Sequence, residues 1–169
     1  MGTAACDATP RLEKEDVDTM HLEHEVEIQA PRDRAWEALI GVERWPLWTE
    51  SMRLVRWLDG CRMSPGARAL IQQPGLPATV WTVTAVLQGF SFTWKSARPG
   101  LTTVASHVLA DSAGAAVTLT ISIDQSGPLS PLASWLMQKR TRRYLRLEAE
   151  GLGRAAEDLS SRAASAEPG

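Results

Sequence analysis

The chain has 169 residues and a formal net charge of −2. That length suits one domain, large enough to bury roughly 70% of its unfolded surface without disulfides or a structural metal. The small net charge argues against nucleic acid as a partner, and no stretch approaches the ~20 apolar residues of a membrane span.

Residues 1–19 are polar and mixed in charge, and read as a mobile tail. Residues 1–11 lack the apolar core of a signal peptide and miss the myristoylation pattern because position 6 is Cys6. The only cysteines are Cys6 and Cys61, which gives no disulfide framework and fits a reducing compartment. A cytoplasmic location is the expectation.

From Leu22 the pattern has period 2. Leu22, His24, Val26 and Ile28 share an apolar face, and Glu23, Glu25 and Glu27 share a wet one. Pro31 suits the first position of a helix, where its missing N–H has no partner to lose. Asp33 complements the helix dipole, Ala35, Trp36 and Leu39 form an inward stripe, and Gly41 is a stop. A short second helix or turn carries Trp45-Pro46-Leu47-Trp48.

Six further strands are expected near 52–58, 66–73, 78–88, 90–97, 101–110 and 115–125, with a break at Gln73-Pro74-Gly75-Leu76-Pro77. A two-residue turn at Gln88-Gly89 pairs Leu87 with Phe90, Ala85 with Phe92 and Val83 with Trp94. One face then collects Trp81, Val83, Ala85, Leu87, Phe90, Phe92 and Trp94. A three-residue turn at Ser112-Ala113-Gly114 sets Leu109 opposite Val117, His107 opposite Leu119, Ala105 opposite Ile121 and Thr103 opposite Ile123. This places His107 inside, whereas a four-residue loop places it outside.

Residues 128–159 read as one long helix, with Leu145, Ala149, Leu152, Ala156 and Leu159 at helical spacing and Trp135 extending the stripe backward. Gly151 and Gly153 each cost about 1 kcal/mol relative to alanine. They mark a bend or a close approach to the sheet. Residues 160–169 are small and polar and read as a second mobile tail, leaving a single domain over 20–159.

The succession Val26 to Ile28, Ala30-Pro31, Ala35-Trp36 and Trp45-Pro46-Leu47-Trp48 resembles the opening of the START and polyketide-cyclase superfamily (SRPBCC). The resemblance covers roughly residues 22–158. It implies an α+β helix-grip fold: a curved antiparallel sheet of about seven strands wrapped around a long C-terminal helix, with two short helices after the first strand. It also implies an internal cavity holding an apolar ligand. Many relatives carry an acidic residue soon after the first helix, where this chain has Ile40-Gly41-Val42.

Seven tryptophans stand against two phenylalanines and one tyrosine. Each buried Trp removes about 150–250 Å² from water, so packing alone accounts for Trp36, Trp45 and Trp135. Trp48, Trp81 and Trp94 are candidates for a cavity wall, with Phe92 beside them and Trp48 at its mouth. His107 and His24 are polar residues on inner faces. A buried imidazole without a partner costs about 1–3 kcal/mol, so His107 requires a side chain, a water or a ligand, and Thr103 lies four residues away on the same face. His107 is either a satisfied core histidine or a hydrogen-bonding or acid–base group in the cavity. His24 belongs at the rim.

The three histidines and two cysteines show no metal-ligand spacing. Gly-x-Ser-x-Gly and glycine-rich phosphate loops are absent, so neither metal nor cofactor is expected. Glu50 and Asp59 read as solvated loop carboxylates. Lys139 to Arg146 is the densest basic run, read as a solvated helix face diluted by Glu148 and Glu150, or as a transient contact with anionic lipid.

Three functions remain open. The first is a protein binding a lipid, isoprenoid or polyketide-like molecule. The second is an aromatase or cyclase working by general acid–base catalysis, with His107 the best candidate. The third is a partner-binding module using the basic helix face, for which no exposed apolar patch is evident.

Overall fold

β1 (Met20–Ile28) keeps the alternation expected of it, with Leu22 and Ile28 buried and Glu23, Glu25 and Glu27 exposed. The computed structural model describes residues 20–60 and 62–166. The expected tail over 1–19 and both cysteines lie outside the described residues. α1 (Arg32–Ile40) begins one residue after Pro31, which caps it in an extended conformation. A 3₁₀ helix, Val42–Leu47, carries Trp45, whose Nε1 donates to the carbonyl of Leu39 at 3.1 Å.

The remaining strands are β2 (Leu54–Trp57), β3 (Arg68–Gln72), β4 (Thr79–Leu87), β5 (Ser91–Arg98), β6 (Leu101–Asp111) and β7 (Val117–Ser126), followed by α2 (Ser130–Ala166). They form one antiparallel sheet in the order β1-β7-β6-β5-β4-β3-β2. This is the helix-grip arrangement, α+β, with seven strands and a long C-terminal helix.

The β4–β5 hairpin departs from the expected register at its turn. Leu87 pairs with Ser91 and Val86 with Phe92, while Val83 still pairs with Trp94. A β-bulge between Val83 and Ala85 absorbs the one-residue difference. An extra residue on one strand reverses the alternation beyond it. Val86 therefore packs on the core, whereas Ala85, Leu87 and Phe90 face outward.

The β6–β7 connection is five residues long rather than three. His107 faces Ile121, Leu109 faces Leu119 and Thr103 faces Gln125. The register moves by two, and two is the period of a strand, so every side chain keeps its expected face. His107 is buried accordingly.

α2 starts two residues later than expected, after Gly127 in a left-handed conformation. A Cβ at Gly127 would lie 2.7 Å from the carbonyl oxygen of Gly100, so the turn into α2 requires glycine. The helix also runs on to Ala166, past residue 160, where the expected second tail begins. That stretch holds no glycine or proline before Pro168, and the hydroxyls of Ser161 and Ser165 donate to carbonyls one turn back.

Trp135 does not extend the inward stripe; it is 80% exposed. Met137 is two residues on, hence about 200° round the helix, and it lines a cavity against the sheet. Trp135 therefore points to solvent. The second half of α2 holds the helix to the sheet, with Leu145, Ala149, Leu152 and Ala156 buried. Gly151 is needed at the crossing with the 3₁₀ helix, because a Cβ there would sit 2.5 Å from the carbonyl oxygen of Trp48.

Candidate functional site

A cavity of ≈ 160 Å³ lies between the concave face of the sheet and the first half of α2, lined among others by Trp81, Thr103, Gln125, Met137, Arg140 and Tyr144. Period 2 along β7 delivers Gln125, which continues the inward row of Leu119, Ile121 and Ile123. Its Nε2 donates to Oγ1 of Thr103, the residue opposite, at 3.3 Å. Its Oε1 is buried and has no hydrogen-bond partner, and the same holds for Nε of Arg140. From α2, Nη1 of Arg140 donates to the carbonyl of Gly75 at 3.2 Å and the Tyr144 hydroxyl donates to that of Pro74 at 2.6 Å. The Pro-Gly break thus closes one side of the cavity. Arg140 departs from the outward orientation expected of the basic run.

A separate cluster surrounds His107. Its ring stacks on Phe92 with centroids 4.5 Å apart and planes 12° apart. Trp45 lies 5.5 Å from it and Trp94 6.0 Å. Nε2 of His107 is 2.7 Å from Oε1 of Glu148, and both residues are buried. With the carboxylate ionised, Nε2–H donates, and Nδ1 is left buried without a partner. Glu148 is therefore an inward residue and does not dilute a surface patch.

A third feature is an open groove of ≈ 730 Å³ between the 3₁₀ helix and the second half of α2. Arg44, Trp48, Met52, Arg154 and Leu159 are among its lining. The six residues expected at a ligand site therefore divide. Trp81 and Thr103 share the sheet–helix cavity. Phe92, Trp94 and His107 form the packed cluster and line neither space, and Trp48 opens on the outer groove. His24 is half-buried on β1, opposite Ile121.

Gln125, Arg140, Tyr144 and Glu148 were missed. Two of them carry a signal in the sequence. Gln125 continues an apolar period-2 row, and Glu148 sits three residues after Leu145 and four before Leu152 on the buried stripe. Arg140 and Tyr144 were hidden within a run of charge. Among the described residues no group of three or more His, Cys, Asp or Glu could hold a metal ion, and no helix is long and apolar enough to cross a membrane.

The sequence matches the family described as polyketide cyclase / dehydrase and lipid transport over residues 19–157. The chain belongs to that family. No curated protein matches it. Among solved structures it is similar to the Zhui aromatase/cyclase from Streptomyces sp. R1128, with 16% identity, a TM-score of 0.66, and coverage of 82% of this chain and 94% of that one. It is similar to a norcoclaurine synthase point mutant from Thalictrum flavum in complex with a transition-state analogue, with 13% identity, a TM-score of 0.67, and coverage of 83% and 96%. It is also similar to a hypothetical protein from Helicobacter pylori, with 13% identity, a TM-score of 0.69, and coverage of 92% and 99%. At these identities the likeness shows the helix-grip fold, and the site has to be argued from this chain's own residues.

Proposed function

We propose that this protein binds a small apolar or aromatic molecule, of lipid, isoprenoid or polyketide-like chemistry, between the sheet and the first half of α2. The observation that carries the reading is the unpaired, buried Oε1 of Gln125 in the lining of an otherwise largely apolar cavity. A buried acceptor without a partner costs about 1–3 kcal/mol, and a ligand hydroxyl or N–H would recover that cost. Nε–H of Arg140, which has no partner, offers a donor to a ligand carbonyl in the same space, and the Tyr144 oxygen, whose proton goes to Pro74, offers an acceptor. The ligand class is thus an apolar body with an oxygen function at one end.

A space of ≈ 160 Å³ suits a single ring, since a cavity of about 150 Å³ holds benzene. Larger ligands require the first half of α2 to lift. Two features support that motion. Between Ser130 and Leu145 no described side chain is buried, and the bonds tying this stretch to the sheet end include two to loop carbonyls, at Pro74 and Gly75.

Ile123→Trp, which fills the cavity from β7, tests the reading. The wild type should gain thermal stability from a set of hydroxylated aromatic and isoprenoid compounds, and the variant should fold and lose that response. Equal responses in both proteins would sink the cavity assignment.

The second reading is an aromatase or cyclase. It is favoured by one observation: Glu148 fixes one nitrogen of His107 and leaves the other free, the arrangement of an oriented base. Substrate would have to displace the aromatic ring packing around His107. A His107→Ala protein that retains ligand affinity and any product formation removes this role.

A further inference from the structure

The first half of α2 has an outer face that neither the fold nor the cavity uses. Leu132, Trp135 and Leu136 are 60%, 80% and 70% exposed. Their spacing of three and four puts them on one side of the helix, and the same stripe continues into Lys139, Arg143 and Arg146. From 129 to 146 the chain holds five cations and no Asp or Glu. Among the described residues Lys139, Arg142 and Arg143 make no ion pair, and Arg146 makes only a 3.8 Å contact with Glu150. The opposite side of this stretch, at Met137, Arg140, Thr141 and Tyr144, lines the cavity.

We infer that this outer face docks on an anionic phospholipid surface. Trp135, Leu132 and Leu136 enter the boundary between headgroups and acyl chains, as the apolar side of an interfacial helix does. Lys139, Arg142 and Arg143, one to two turns behind, meet the phosphates. Tryptophan suits that depth because its ring is apolar and its N–H needs a wet partner. The charge selects the occupant, because a zwitterionic surface or a second copy of the same cationic face leaves these cations unmatched. Docking by this half of α2 also sets the cavity beneath it against the bilayer, a consequence that rests on the proposed ligand site.

The test is co-sedimentation of the full chain with vesicles of phosphatidylcholine alone or mixed equally with phosphatidylglycerol. The wild type should bind the mixed vesicles, lose binding as salt rises, and ignore pure phosphatidylcholine. Trp135→Ser with Leu136→Ser should bind about tenfold or more weakly, with an unchanged melting temperature because both residues are exposed. Lys139→Gln with Arg143→Gln should weaken binding roughly 25-fold, about fivefold per cation. No binding to the mixed vesicles, or equal binding by the Trp135→Ser double variant, overturns the inference. So does a wild-type dimer that this variant turns into monomer while vesicles are ignored. Ligand-induced thermal shifts measured on the same double variant keep the two readings apart. Loss of vesicle binding with the shift retained supports docking, and docking without any ligand shift in the wild type refutes the cavity alone.

Discussion

Nε2 of His107 on β6 and Oε1 of Glu148 on α2 lie 2.7 Å apart, joining helix and sheet through a buried polar contact. Such a contact stabilises little when intact and costs much when half of it is removed. Glu148→Ala should lower the unfolding free energy by about 1–3 kcal/mol, because it strands an imidazole N–H in an aromatic cage. His107→Leu combined with Glu148→Met should cost well below the sum of the single changes. Guanidinium denaturation of the wild type, His107→Leu, Glu148→Met and the double variant measures this. Additive losses would mean that the contact has no energetic coupling.

The two helix glycines should respond with opposite signs. Gly151→Ala forces a methyl to 2.5 Å from the Trp48 carbonyl oxygen and should destabilise by about 1–3 kcal/mol. Gly153→Ala meets Ile28 at an ordinary 3.7 Å and should stabilise by up to about 1 kcal/mol through helix propensity. Melting temperatures moving in the same direction would contradict the assigned crossing.

Two tryptophans on the same chain should differ by an order of magnitude in stability. Trp45 is fully buried at the centre of the aromatic cluster, so Trp45→Ala should cost about 3–5 kcal/mol. Trp135→Ala should stay within about 0.5 kcal/mol of wild type, as urea unfolding would report.

His21 supplies a pH dependence. A hydrogen bond to Asp124 at 2.7 Å raises its pKa above the ordinary 6.5, partly opposed by desolvation and helped by the charges of Asp124 and Glu23. A raised folded-state value means that the charged form favours folding. The contribution is complete below pH 6.5 and is lost as pH rises through the folded-state value. Because the pair is half-exposed, solvent screens it and the effect on stability is small. NMR titration of His21 should give a value above 6.5 in the wild type and closer to it in Asp124→Asn. Identical titrations would remove Asp124 as the cause.

Most of the sheet was legible in the sequence, because each strand has one wet face and the alternation declares it. The β6–β7 register shows how an inexact reading can still place a residue. An error of two residues leaves His107 facing inward. The β4–β5 bulge was not legible, since an extra residue at Thr84 is visible only when both strands are paired. Trp135 was misplaced because helical spacing alone does not reveal that the first half of α2 turns a different side to the sheet. Glu148 was read with its charged neighbours, although its position on the Leu145–Leu152 stripe marked it as buried. The site was less legible than the fold. Its polar residues, Gln125, Arg140 and Tyr144, come from segments whose patterns each had a simpler local reading.

The central claim is that the sheet–helix cavity holds an apolar molecule with an oxygen function, which Gln125 binds. Native mass spectrometry of wild type and Gln125→Leu, purified side by side from cells, tests it most directly. The wild type should carry a bound small molecule that is lost or strongly reduced on the variant, with both proteins folded. A wild type that is always empty and unshifted by any apolar compound, or equal occupancy of the two proteins, would contradict it.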